Sequence, residues 1–351
     1  MLRRLSALLP LVALIAAVVV IAGMLSRSGQ RDVTTGLVHM CIVIGLYSFI
    51  GVTGVFSFGH VAFVAVGAYV AGVLAIPALR KEALYEGMPA WLAGVELDPV
   101  LAVLVGGVAA AALAGLLAPS LSRISGLSAA LATFALLVIV QVVARNYEPV
   151  TRGTKGMLGV PAETTLETAA LWAIAFLVVV YLFQTSRVGL QLRAAREDDV
   201  ASKAIGVHVG RLRGVALVLS AFLVGIAGGV YGQLLGSFNP DVFYLDLTFL
   251  TLAMLVVGGM RSLSGAVIGA LALTFLSQVL REIESLLDVT GLTQVSFAVL
   301  VLLILVLRPS GITGGREVGL LRRWDPDTFE ATERRAAPLD EADGAAQRSS
   351  G

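Results

Sequence analysis

The chain has 351 residues, 57% hydrophobic and only 14% charged, with a mean hydropathy of +0.90. A soluble domain of this size could not hide that much apolar surface, so the chain is a polytopic membrane protein. Its 25 Lys and Arg against 24 Asp and Glu leave a net charge of +1, which argues against a nucleic-acid partner.

The 38 glycines, with abundant alanine, suit helices whose backbones pack closely in lipid. The single cysteine, Cys41, lies inside an apolar run and excludes an intrachain disulfide. Arg3 and Arg4 precede an apolar run from Leu8 to Leu25. That run is long for a signal-peptide core and Ser26 to Gln30 is a poor cleavage site, so it reads as an uncleaved first span.

Further apolar segments follow at 36–56, 60–79, 99–118, 127–144, 169–184, 214–236, 246–259, 265–281 and 293–308. Together they predict an all-α bundle of about ten transmembrane helices (eight to ten). The segments at 246–259 and 265–281 are short, and the break at Ser57-Phe58-Gly59 falls between two others. Either pair therefore reads as two full spans or as a broken, re-entrant unit. Residues 1–315 form the membrane domain, and 316–351, mixed in charge and without an apolar face, read as a flexible cytoplasmic tail.

Orientation follows from Lys and Arg near the span ends. The loop 186–213 carries Arg187, Arg193, Arg196, Lys203, Arg211 and Arg213, which makes it cytoplasmic. Counting outward places Arg3, Arg123, Arg261 and the tail on the same side, so both termini are expected in the cytoplasm. Arg27, Arg31 and the 145–168 loop dissent.

Within that loop, Glu197, Asp198 and Asp199 are expected to open a helix, since anions suit an N-terminus. Val200, Ala201, Ala204 and Ile205 then share one face, and Gly206 is the stop signal. The pattern predicts about two turns with a small-residue face free for a partner; an ordinary solvated loop is the alternative.

Three other stretches interrupt the spans. Around Ser57, Phe58, Gly59 and His60, a Gly/Ser break frees backbone groups that are tolerated only beside a cavity or in packed protein. Transporters build substrate paths from such breaks. His60 either lines a path or caps a broken helix. Gly258, Gly259, Ser262 and Gly265 mark a second break, where Arg261 reads as a cytoplasmic anchor. On the outer side, Thr151, Gly153, Thr154 and Gly156 form a shaped loop that is either a gate, a docking surface or a connector.

The sequence has no G-x-x-x-x-G-K-[ST], no metal-type Cys/His cluster and no nucleophile–base signature. The spans from 99 to 144 and from 169 to 184 hold no acidic residue, and Gln141 is their notable polar group. A proton- or sodium-coupled carrier usually needs carboxylates at mid-membrane. If a solute moves here, energy is expected from another subunit.

The order SFGHVAFVAVGAYVAG, TRGTKGMLGVP, SRVGLQLRAAREDDVASKAIGVHVGRLRGVALVLSAFLVGIAGGVYG, NPDVFY, VVGGMRSLSGAVIGA and LRPSGITG resembles the LivM-type permeases, membrane subunits of branched-chain amino-acid ABC importers. The resemblance spans roughly Gly36 to Gly314. It implies a non-enzymatic subunit of the bacterial plasma (inner) membrane with a LivH-type permease partner. It also implies two cytoplasmic P-loop ATPases, which bind ATP and Mg, and an external or periplasmic solute-binding protein. By the same resemblance, Glu197 to Gly206 (with Asp198, Asp199, Ala201 and Ala204) looks like the helix that docks on the ATPase, and the two Gly-rich breaks look like segments near the path.

Arg152 and Lys155 stand where the family often has glycine and asparagine, and Met260, Arg261 and Ala266 depart from the usual second break. Urea and short-amide importers use similar permeases, so they remain an alternative. A self-sufficient channel or secondary carrier is the reading from another class. A membrane-embedded enzyme would need a polar catalytic cluster within the spans, and the sequence offers none.

Overall fold

The computed structural model describes residues 8–85, 87–287, 295, 299 and 311–314. All belong to one compact unit, Leu8–Val318. Lipid offers no hydrogen-bond partners, so the apolar runs close their backbone bonds internally as helices. In chain order these are α1 (Leu9–Gly23), α2 (Arg27–Thr53), α3 (His60–Ala75), α4 (Ala78–Leu84), α5 (Ala90–Ala93), α6 (Pro99–Leu121) and α7 (Gly126–Asn146). They continue as α8 (Glu148–Thr151), α9 (Leu166–Thr185), α10 (Arg187–Glu197), α11 (Asp199–Ala204), α12 (Val209–Leu235), α13 (Leu245–Gly258) and α14 (Leu263–Leu287).

Among the described residues, seven helices are long and apolar enough to cross a membrane, or eight if one bent pair counts as a single span. That pair is α3 and α4, bent by 108°. Pro77 explains the bend: it lacks the N–H that a continuing helix needs, and Ile76 before it is extended at ψ 129°. Expected segments 246–259 and 265–281 correspond to Pro240–Gly258 and Leu263–Glu284, each long enough to span. The N-terminal segment forms only the 15-residue α1. The expected segment 293–308 lies outside the described residues apart from Val295 and Val299, as does the tail 316–351.

α2 is the axis of the bundle. Ser26 caps its start by accepting from the Gly29 N–H, and Gly54 ends it at φ +73°. It is buried almost throughout from Thr34 to Thr53, and α9, α12, α13 and α14 pack around it. α3, α6 and α12 pack against one another as a second group. Their backbones nearly touch, because a Cβ on Gly67 would overlap the Gly225 carbonyl and one on Gly228 would overlap that of Val64. No other residue permits that approach, and in lipid such close contact is the main source of helix association. The outer faces of α6, α7 and α9 carry exposed large apolar side chains, including Leu116, Ile139 and Leu171, as lipid-facing helices should.

The Gly228→Val variant should lose folded protein in detergent, with a stability loss at or above the ~1–3 kcal/mol typical of overpacking. Gly23→Ala, whose added methyl meets nothing within 4 Å, should melt like the parent. Equal melting of the two variants would refute the close crossing.

Candidate functional site

The charged loop is built from two short helices set at corners. Ser186 starts α10 by accepting from the Gly189 N–H (3.2 Å). α10 then ends at Glu197, and the extended Asp198 (φ −145°) caps α11 by accepting from the N–H groups of Val200 (2.9 Å) and Ala201 (2.8 Å). This corrects the expected start: Glu197 closes the preceding helix, Asp198 is the cap and Asp199 is the first helical residue. Three successive acids look alike in the sequence, and only the backbone decides which one accepts the orphan N–H groups.

α11 has six residues and is shorter than the expected two turns; Gly206 at φ +87° follows it. Asp199 is held by Lys203 (2.5 Å) and by Arg213 of α12 (3.4 Å). Val200 and Ile205 are 78% and 81% exposed, and Ala201 and Ala204 are exposed with them. An apolar face therefore points away from the bundle, while Ser202 faces inward.

The residues just before α11 reach both interrupted segments. The Arg196 guanidinium donates to the Gly51 carbonyl near the end of α2 and, at 3.0 Å, to Glu197. Glu197 also accepts from Arg261 in the second break. Gly51 itself lies against the Met260 carbonyl, so the two breaks meet at the end of α2. Arg261 first, and Arg196 second, hold the Glu197 carboxyl below the ordinary glutamate range.

Residues 54–59 are non-helical, and side chains take up their freed groups. The Phe58 N–H donates to the Thr133 hydroxyl (3.2 Å), and the Val55 N–H donates to that of Thr53 (3.2 Å). Ser57 Oγ lies 2.6 Å from His60 Nδ1. His60 is 1% exposed and sits between the rings of Phe49 and Phe63, at centroid distances of 5.1 and 5.9 Å. Gly59 abuts the Thr133 backbone, and Phe58 reaches Phe249 of α13 edge-on.

In the second break Gly258, Gly259, Ser262 and Gly265 are all buried. α13 and α14 cross backbone to backbone there, with Gly258 against the Gly265 carbonyl. A clamp that residue patterns alone did not reveal closes this crossing. The N–H groups of Ile312 and Thr313 donate to the carbonyls of Val257 (2.8 Å) and Gly258 (3.2 Å), and the Thr313 hydroxyl lies 2.9 Å from that of Ser262. Its sequence signal is the closing LRPSGITG.

At the opposite end of the helices, Thr151 is buried and donates to the Ala144 carbonyl (2.7 Å), while accepting from the Gly153 N–H (3.1 Å). Gly156, at φ +77°, lies against the Phe238 backbone, and Thr154 is exposed. Met157 and Phe238 exchange backbone hydrogen bonds of 2.7 and 3.1 Å, which ties this loop to the NPDVFY segment. Gln141 finds its partner there too, donating to Asp241 (3.0 Å), which also pairs with Arg145. Behind this tie, Tyr69, Phe238, Phe243 and Tyr231 stack edge to face. Arg152 is the only described non-glycine residue at positive φ (+60°), and it lies 5.7 Å over the Tyr85 ring. Among the described residues no group of three or more His, Cys, Asp or Glu side chains is arranged to hold a metal ion.

The family model described as "Branched-chain amino acid transport system / permease component" matches residues 31–307. The chain belongs to this family. The match takes in nearly all of α2, the whole of α3 to α14 and both interrupted segments. The chain is 28% identical over 315 residues to the high-affinity branched-chain amino acid transport system permease protein LivH of Escherichia coli K12, covering 82% of this chain and 95% of that one. It is 25% identical over 338 residues to LivM of the same strain, covering 86% and 74%. It is 27% identical over 308 residues to BraD of Pseudomonas aeruginosa, covering 82% and 95%. No solved structure matches. Family membership and the helices make this chain a multi-pass membrane permease component.

Two outcomes follow. Arg152→Gly should keep stability within about 1 kcal/mol, because relieving a left-handed backbone (~1–2 kcal/mol) offsets the lost cation–π contact (~0.5–1 kcal/mol). Arg152→Val should melt clearly lower, and the reverse order in thermal melts would contradict the assigned backbone. Glu197→Gln should change stability by less than ~1 kcal/mol, since the carboxylate itself and its partner Arg261 are exposed. What the pairs contribute is present above the ordinary glutamate value of ~4.3 and disappears as pH falls through the lowered folded value. A pH titration of the melting temperature, parent against variant, reads this directly.

Proposed function

We propose that this chain is one of two permease subunits of an ABC importer carrying branched-chain amino acids (leucine, isoleucine, valine) across a bacterial plasma membrane. About ten spans with both termini in the cytoplasm complete this reading. The partners are a second permease of the LivH type, two cytoplasmic P-loop ATPases and an external solute-binding protein. The chain itself performs no chemistry: ATP and Mg are bound by the ATPases.

The observation that carries the reading is the exposed apolar face of α11, offset by one residue from the Arg196–Glu197 contacts. A face of Val200, Ala201, Ala204 and Ile205 open to water is costly unless a partner covers it. The ATPase is that partner. Force applied to α11 reaches Arg196 and Glu197 next, and through them both breaks. The Ser57–His60 step and the Gly258–Gly265 crossing then act as hinges beside the solute route, and the 151–156 loop with NPDVFY closes its outer end.

The Val200→Ser/Ile205→Ser double variant should fold normally, because both side chains are already exposed. In liposomes holding the full importer it should bind the ATPases at least tenfold more weakly, a loss of about 1.4 kcal/mol, and abolish ATP-driven leucine uptake. Undiminished uptake would sink the coupling role. Uptake of urea but not leucine by the parent would move the substrate to the amide class. Leucine flux through this chain alone, without ATP, would favour the self-sufficient carrier.

A further inference from the structure

A groove of about 1090 Å³ opens on the outside of the bundle between α6 and α12. Its walls are Ala111 and Gly115 on α6 and Val218 and Phe222 on α12, and its rim carries Arg123 and Arg211. From Ala111 to the end of α6 at Leu121 the helix rises about 15 Å, half of the ~30 Å hydrocarbon core. The groove therefore runs the depth of one leaflet. Its walls are apolar where acyl chains lie, and its charge sits where headgroups lie.

Two of the rim charges have no acidic partner among the described residues. Arg123, in the turn between α6 and α7, and Arg211, in the first turn of α12, have no carboxylate within ion-pair distance among the described residues. Nearby Asp199 is taken by Lys203 and Arg213. Lys203, from α11 itself, and His208 complete the rim.

We propose that this groove binds one anionic phospholipid, its phosphate held by Arg123 and Arg211 and one acyl chain laid along Gly115 and Val218. Charge complementarity selects the occupant: basic pockets between membrane helices on the cytoplasmic side take acidic headgroups. A protein helix seated there would have to bring acids to the rim. Because Lys203 of α11 shares the rim, the lipid abuts the segment assigned to ATPase docking. The lipid assignment does not depend on that role.

Native mass spectrometry of the full chain in its assembled importer, titrated with phosphatidylglycerol and with phosphatidylcholine of equal chain length, tests it. Phosphatidylglycerol should bind roughly tenfold more tightly. Arg123→Gln/Arg211→Gln should erase that preference while leaving ATPase association intact. Gly115→Leu should displace both lipids; the first added carbon meets only Val218, at 3.9 Å, so the helices need not move. A photocrosslinker at Val218 should capture lipid. Equal binding of the two lipids, an unchanged preference in the double arginine variant, or capture of a permease or ATPase subunit at Val218 would overturn the proposal.

Discussion

Arg196 and Glu197 are consecutive residues at the end of one short helix, and between them they hold both interrupted segments. The Arg196 side chain is 14% exposed, and its guanidinium bonds a backbone carbonyl of the central helix at Gly51. That carbonyl lies in the last turn of α2, where the helix can no longer satisfy its own acceptors. The neighbouring carboxylate takes Arg261 from the other break. Charged groups bonded to helix ends tolerate small rotations better than packed methyl groups do. The linkage is polar and partly exposed, with the Glu197 and Arg261 side chains 58% and 57% accessible, so it lies at a water-facing boundary.

This arrangement explains why the irregular backbone is tolerated. A membrane protein can leave helical geometry only where side chains or packed protein answer the freed N–H and C=O groups. At 54–59 the hydroxyls of Thr53 and Thr133 do so, with Ser57 and His60 bonded to each other. At Gly258 the turn holding Ile312 and Thr313 does so. One break is closed by hydroxyls and the other by backbone N–H groups together with the Thr313 and Ser262 hydroxyls. Both abut the end of α2.

Much of the fold was legible because the membrane imposes a coarse, strong rule on sequence: long apolar runs become helices. The helix ends were less so: the expected segments 36–56 and 60–79 run past the observed ends at Thr53 and Ala75, where Gly54 and Pro77 stop the helices. The exposed face of α11 was legible too, since Val200, Ala201, Ala204 and Ile205 share a side at helical spacing. The helix boundary was not. Glu197, Asp198 and Asp199 differ in role only through a backbone turn, and Glu197 took its role from Arg261, 64 residues away. Gln141 stood out as a polar group in an apolar span, but its partner Asp241 lies 100 residues on.

By itself the sequence determined a helical membrane protein, the loop that carries its charge and the places where its helices break, because hydropathy, proline and glycine act over a few neighbouring residues. The tertiary structure alone decided that both breaks meet at the end of α2, that Arg196 and Glu197 join them, and that Arg123 and Arg211, with no ion-pair partner among the described residues, rim a groove between α6 and α12. Each of those depends on which helices become neighbours. That choice is made by close backbone contact at glycines such as Gly67 and Gly228, whose partners Gly225 and Val64 are distant in the chain and leave no periodic trace in it.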